Sequence, residues 1–232
     1  MEEIEPPLPT RLKLYNASNF FDRRAVPPED LPRIAELARG FATVTVESHA
    51  NMIGPLTLQF AALLSGRLEV AVGLETIHPV AITHLNKRLE LPRFDSAAAF
   101  LAHHDIDLRA FVLLGAPYVP AAESIEWTVR TVEYAASRGA RRVAIIPVRG
   151  GNGELERLEA LGDFVPPTLA QLEHALERCR GIKSAVVTAD LWDIDRLPAC
   201  EGCRTQRVAR IRAMNLCTGS RLPAPGSCPA CA

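Results

Sequence analysis

Short apolar runs rich in β-branched residues recur along the chain, at residues 12–15, 42–47, 68–74, 108–114, 142–147 and 185–189. Most are nearly continuous in hydrophobic character, the pattern of strands covered on both faces in a parallel sheet. Between them lie stretches with helical periodicity and recognisable ends. Pro27-Pro28-Glu29-Asp30 opens a helix over residues 31–39, which Gly40 closes. Ser124 is placed to cap a helix running to residue 137, with Gly139 just beyond it. Thr168 is placed to cap residues 169–180, followed by Gly181. Strands and helices alternating through short links predict βαβ units, right-handed crossovers and a parallel sheet. Repeats of this length curl readily into a full or partial barrel.

Sites in such folds form at the C-terminal ends of the strands. Those ends read Tyr15-Asn16-Ala17-Ser18-Asn19, Glu47-Ser48-His49, Gly73-Leu74-Glu75-Thr76, Gly115-Ala116-Pro117, and Pro147-Val148-Arg149 followed by Gly150-Gly151-Asn152-Gly153. Polar residues and glycines follow the apolar run each time, which predicts a polar mouth. Glu47 and Glu75 take equivalent places at consecutive strand ends. A carboxylate there can hold a ribose hydroxyl or an amino group, or act as a base with a raised pKa. The alternative is a plain ion pair with Lys87, Arg88 or Arg149. The glycine run lacks the spacing of a dinucleotide turn or a P-loop, and reads as backbone that lets a ligand approach closely.

After residue 189 the pattern stops, and a boundary near Arg196 divides residues 1–196 from a cysteine-rich segment, 197–232. Five of the six cysteines lie in the last 33 residues, four of them as the pairs Cys200/Cys203 and Cys228/Cys231, with 24 residues between the pairs. Two such knuckles can place four thiolates around Zn²⁺, and closing that site can fold a small module. Cys217 and Cys179 read as buried small residues. The net charge of the chain is −1, but its last 33 residues carry five arginines against one acid. A basic segment on an acidic body suits a polyanion such as RNA; the alternative is a solvated arginine-rich helix. No apolar run approaches the roughly 20 residues that span a bilayer, and the acidic, proline-rich N-terminus lacks the layout of a signal peptide. A cytoplasmic location is expected. The six histidines form no HExxH and read as structural or surface residues; no GxSxG is present. No catalytic residue is assigned.

These residues also resemble a known family. The run Lys13-Leu14-Tyr15-Asn16-Ala17-Ser18-Asn19-Phe20-Phe21-Asp22 with Val26-Pro27-Pro28 is similar to the second-strand region of radical S-adenosylmethionine (SAM) proteins. It is nearest the elongator-type branch that includes the radical SAM subunit of archaeosine synthesis. Glu69 to Thr76 with Leu85-Asn86-Lys87-Arg88 resembles the fourth-strand motif and the helix after it. Phe111 to Pro117 resembles the fifth-strand glycine motif, and Ile145-Ile146-Pro147-Val148 the sixth strand. The ordered set covers residues 11–189. The resemblance implies a SAM site with Asn16 and Ser18 near the amino acid end, Glu47 and Glu75 near the methionine or ribose groups, and Gly115 and Pro147 flanking the adenine.

One departure matters. The family's CxxxCxxC loop follows its first strand, and no cysteine precedes Cys179 here. The [4Fe-4S] cluster is therefore implied by the family alone, and the expected fold is an α/β partial (β/α) barrel of radical SAM type lacking its first strand, with a small C-terminal zinc-knuckle segment. Three readings follow: the C-terminal portion of a SAM-dependent iron–sulfur enzyme acting on a modified nucleoside or tRNA; one half of a split enzyme whose partner brings the cluster; or a cluster-free ligand- or RNA-binding module with a zinc-stabilised tail. An ordinary barrel enzyme with Glu47 or Glu75 as base is a further class. A barrel without its first strand leaves a strand edge exposed, so marginal stability or association is expected.

Overall fold

A computed structural model describes residues 10–15, 19–85, 90–151 and 153–216. The strands are β1 (Arg11–Leu14), β2 (Thr43–Glu47), β3 (Arg67–Glu75), β4 (Asp107–Leu114), β5 (Arg142–Pro147) and β6 (Val186–Ala189). The helices are α1 (Leu31–Leu37), α2 (Pro55–Leu63), α3 (Ala81–His84), α4 (Leu91–His103), α5 (Ser124–Ser137), α6 (Glu154–Leu161), α7 (Leu169–Cys179) and α8 (Arg204–Leu216). The six strands form one sheet in the order β1-β2-β3-β4-β5-β6. Arg11 lies beside Thr43, Thr43 beside Arg67, and Arg142 beside Val186, all in parallel register. Strand order that never reverses separates this fold from the doubly wound sheets, which reverse at a switch point, and matches the progression of a (β/α) barrel.

The chain folds as two compact units. The first takes in the described parts of Met1–Gly73 together with Glu90–Ala110 and Arg138–Arg141. Its core includes Val44, Val46, Leu68, Val70 and Val72 on the strands and Phe60, Phe94 and Leu101 on the helices, all essentially buried. Phe20 packs on Phe60 at 4.8 Å and edge-on to Phe21 at 5.3 Å. The opposite side of the strands is also buried but polar, which corrects the expectation of continuous hydrophobic runs. β2 and β3 alternate as TVTVE and RLEVAVGLE, so one residue in two turns away from the helices. Fully buried Glu69 collects that side. It accepts hydrogen bonds from Thr45 Oγ1 at 2.8 Å, Arg109 Nε at 3.1 Å and Arg11 Nη1 at 3.2 Å.

The second unit takes in the described parts of Leu74–Leu89, Phe111–Ser137 and Arg142–Ala232. The inner faces of α5, α7 and α8 bury Val129, Val132, Leu172, Leu176 and Ile211. Thr168 caps α7 as expected. Its hydroxyl accepts from Gln171 N at 3.1 Å and the Gln171 side chain accepts from Thr168 N at 2.8 Å. Ser124 does otherwise. It is the first residue of α5, not its flanking cap, and its hydroxyl accepts the Gly115 amide at 2.9 Å. Residues 197–216 pack within this unit: Arg210 bridges Glu173 at 3.0 Å and Glu177 at 2.7 Å, fixing α8 to α7. α2, α4 and α6 were not marked by the sequence pattern.

Candidate functional site at the strand ends

In the first unit, Glu47 ends β2 half-buried, and its carbonyl accepts Phe20 N at 2.8 Å. The next residue, Ser48, donates its amide to Ala71 O at 3.0 Å, and the His49 amide donates to Asn19 Oδ1. Asn19 and Phe20 are thereby tied across the end of β2. Tyr15 sits there too. Burial pushes its phenol above the usual range, against the pull of the Arg109 guanidinium that hydrogen-bonds it, while the Glu47 and Glu69 carboxylates push the same way as burial. Asn16 and Ser18, the predicted partners of a ligand's amino acid end, lie outside the described residues.

In the second unit, the ends of β3, β4 and β5 share a backbone habit. Each runs into a residue in the left-handed region: Glu75 (φ 62°), Gly115 (φ 72°) and Gly151 (φ 121°). Left-handed backbone at a buried glutamate costs about 1–3 kcal/mol, and such strain collects at ligand sites. Glu75 is only 8% exposed. The turn after it is held hard: Ile77 N donates to Thr131 Oγ1 at 3.2 Å, and His78 Nδ1 accepts Ala81 N at 3.1 Å while its ring stands edge-on to Trp127 at 4.7 Å. His78 is thus a structural histidine, as the sequence implied. A Cβ on Gly115 would lie 2.7 Å from Pro167 Cδ, so no side chain fits. Pro147 is buried at the end of β5, and Val148 N donates to Leu114 O at 2.9 Å, joining that end to β4. Helix α5 therefore supports two predicted residues, Glu75 through Thr131 and Gly115 through Ser124.

Arg149 follows Pro147. Its Nη1 donates to Asp190 Oδ2 at 3.2 Å, so the ion pair considered with Glu47 or Glu75 goes to a residue beyond β6. Its buried Nε meets no acceptor among the described residues. Lys87 and Arg88, the other candidate partners, lie outside them. Sequence reasoning missed the Arg149–Asp190 pair; the only cue was an acid immediately after an apolar run.

Cys200 and Cys203 close a tight turn ahead of α8, with Cys203 N donating to Cys200 O at 3.3 Å. Arg207 Nε donates to Cys203 Sγ at 3.2 Å, and the same guanidinium pairs with Glu173. Cys228 and Cys231 lie outside the described residues. No group of three or more potential metal ligands comes together among the described residues. Their remaining cysteine, Cys179, is buried in α7, where desolvation pushes its thiol up to about 12. A cluster needing three thiolates does not fit this set. No described helix is long and apolar enough to cross a membrane.

No protein-family model and no curated protein matches the chain. Solved structures do. Elp3 from the archaeon Methanocaldococcus infernus, lacking its N-terminal residues 1–46, matches with a TM-score of 0.66 and 12% identity, over 89% of this chain and 55% of that one. HemN from Escherichia coli, a radical SAM enzyme, matches at 0.49 and 10% identity over 76% and 52%. SuiB from Streptococcus suis, solved with SAM bound, matches at 0.48 and 13% identity over 78% and 38%. The fold is that of a partial radical SAM (β/α) barrel, and the chain spans about half the length of the Elp3 chain it matches.

Proposed function

We propose that this chain is the SAM-holding barrel portion of a radical SAM-type enzyme. The match of an unreversed six-strand sheet to Elp3 over 89% of the chain carries this reading. The strand ends of the second unit fit the ligand's chemistry. Glu75 offers a carboxylate to an ammonium or ribose hydroxyl, Gly115 and Pro147 offer close backbone to a flat base, and the orphaned Nε of Arg149 suits a carboxylate. Glu47, in the first unit, keeps the ligand-facing role the resemblance implies. SAM with a reduced [4Fe-4S] cluster would supply radical chemistry. The described cysteines do not fit that cluster, so on this reading it comes from an N-terminal portion or a partner.

A modified nucleoside or tRNA is the proposed substrate, in the cytoplasm. Of the tail's arginines, Arg207 and Arg210 engage α7 carboxylates, so RNA contact would fall to exposed Arg212 and to Arg221. Zinc held by Cys200, Cys203, Cys228 and Cys231 is the proposed metal of the tail. The second reading, a cluster-free ligand- or RNA-binding module, is favoured by one observation: the described cysteines do not provide a three-thiolate set. Equilibrium dialysis with labelled SAM tests the main reading. Binding that weakens about tenfold in Glu75→Gln, roughly 1.4 kcal/mol, is expected. Absence of binding, with the chain folded, would remove the SAM assignment.

A further inference from the structure

Trp192 stands on the loop after β6 with 75% of its surface exposed. The other tryptophan, Trp127, is engaged: its Nε1 donates to Glu123 Oε2 at 3.0 Å, the His78 ring stands edge-on to it at 4.7 Å, and Arg130 lies over it at 5.0 Å. Among the described residues the Trp192 indole makes no hydrogen bond and no aromatic contact. We propose that Trp192 is a stacking platform for an unpaired RNA base at the C-terminal end of β6, with Arg212 of α8 meeting a neighbouring phosphate. The inference rests on the nucleoside or tRNA reading above and adds where the base sits and what holds it.

Three observations carry it. First, the platform is fixed. Asp190 N donates to Ile145 O of β5 at 2.8 Å, and the Asp190 carboxylate accepts Trp192 N at 3.4 Å on Oδ1. Beyond Trp192 the chain turns through left-handed Asp193 (φ 49°) and buries Ile194 and Leu197, while Arg196 Nη2 reaches back to Gly150 O at 3.3 Å. A loop tied on both sides of an exposed indole presents a flat face that loses little freedom on binding. Single apolar residues scattered on a surface are ordinary. An indole pinned at a strand end, where sites form in this fold, is not scattered.

Second, the placement suits the proposed reaction. Asp190 Oδ2 accepts Arg149 Nη1 at 3.2 Å, so one carboxylate touches both the arginine assigned to the SAM carboxylate and the backbone of Trp192. A base stacked on the indole lies at the same strand ends as the SAM of that reading.

Third, a cation stands at the same strand end. Asn215 of α8 grips Ala189, the last residue of β6, through 2.8 Å hydrogen bonds to both of its backbone groups. Exposed Arg212 is one turn earlier on that helix, and residues three apart share a helix face. The loop acids Asp190 and Asp193 are paired with Arg149 and Arg196, at 3.2 and 3.5 Å, so they do not meet a phosphate as bare charges. An aromatic face with a guanidinium nearby is chemistry that holds single-stranded nucleic acid, because every base has a π-face to stack. A duplex hides those faces between its paired bases.

The test uses the full chain and a fluorescein-labelled single-stranded RNA decamer, titrated by anisotropy at fixed salt. Trp192→Ala should weaken binding about tenfold and Trp192→Phe should keep most of it, both with wild-type circular dichroism. Arg212→Gln should lower the salt dependence by about one released counterion. In Trp127→Phe, which leaves Trp192 as the one indole, the unlabelled decamer should quench the emission and the same decamer annealed to its complement should not. Should Trp127→Phe fail to fold, the anisotropy series decides alone. Equal affinity in wild type and Trp192→Ala overturns the platform and leaves the RNA reading standing. A folded wild-type chain that binds no single strand overturns both. Trp192 emission that shifts with protein concentration alone, together with dimers in light scattering, gives the indole to a second copy of the chain and overturns the inference.

Discussion

Asn215, near the end of α8, holds both backbone groups of Ala189: its Oδ1 accepts Ala189 N and its Nδ2 donates to Ala189 O, each at 2.8 Å. Asp190 N points the other way, donating to Ile145 O of β5. The free-edge side of Ala189 therefore faces Asn215, and one side-chain amide does the work of a neighbouring strand. An uncovered edge strand invites pairing with another chain. Asn215→Ala should lower stability by about 1–3 kcal/mol, the cost of stranding a buried pair of backbone groups. Urea unfolding reads the loss, and light scattering should show added association. Wild-type stability in Asn215→Ala would mean water replaces the amide without cost.

Gly115 answers to two constraints at once, a φ of 72° and a Cβ position only 2.7 Å from Pro167 Cδ. Proline carbons in a fixed ring cannot swing aside. Gly115→Ala should destabilise the fold by about 1–3 kcal/mol and weaken SAM binding more than a distant substitution of equal stability cost. Matched thermal melts and dialysis separate the two effects.

Glu69 pairs with both Arg11 and Arg109, its carboxylate buried completely and Arg109 only 11% exposed. Removing one partner of a buried ion pair strands the other and costs about 3–5 kcal/mol. Glu69→Gln should therefore unfold at markedly lower urea. The double variant Glu69→Met with Arg109→Met should recover part of the loss. A double variant worse than the single would mean Arg109 has other work, and its hydrogen bond to Tyr15 is the first place to look.

How far the sequence reached can be judged from particular residues. Hydrophobic runs placed all six strands, because β2 through β6 bury β-branched and other apolar residues. The same runs hid Glu69: a charged residue inside Leu68–Val72 looks like noise until Thr45, Arg11 and Arg109 converge on it from three other strands. Thr168 was legible because capping is local, reading three residues ahead to Gln171. Ser124 was misread because its hydroxyl serves Gly115, nine residues back, across a turn that spacing cannot reveal. Glu75, Gly115 and Pro147 were placed at strand ends by their position after apolar runs; the left-handed backbone at Glu75 has no sequence signature in a glutamate. Arg207 and Arg210 looked like a basic surface, and only packing against α7 shows that Glu173 and Glu177 hold them.

Cys179 gives a pH prediction with a definite sign. Burial raises its thiol from 9.0 to about 12. Below pH 9 the thiol is protonated in both folded and unfolded chains, so its contribution is complete. Between 9 and 12 the unfolded chain ionises while the folded one does not, and stability falls as pH rises. Cys179→Ala should flatten that alkaline slope in urea unfolding. The same burial should leave Cys179 unreactive to iodoacetamide until the chain unfolds. Equal slopes in wild type and variant would assign the alkaline loss elsewhere, with the raised Tyr15 phenol next in line.

Arg149 offers the sharpest probe of the strand-end site. Its Nη1 is taken by Asp190 Oδ2 at 3.2 Å, its Nη2 makes only a long contact of 3.5 Å with Asp190 O, and its Nε meets no acceptor among the described residues. A guanidinium binds a carboxylate best through two parallel N–H groups, so an arriving carboxylate has in Nε a donor that Asp190 does not take. Asp190 is 35% exposed and can hydrate if its partner goes, so Arg149→Met should cost the fold little. It should weaken SAM about tenfold or more while leaving 5′-deoxyadenosine, which has the same base and ribose without the amino acid, nearly unchanged. Dialysis with each ligand compares the two. A parallel loss for both would place Arg149 in the shape of the pocket, away from the carboxylate, and no loss for either would put the SAM amino acid on another strand end.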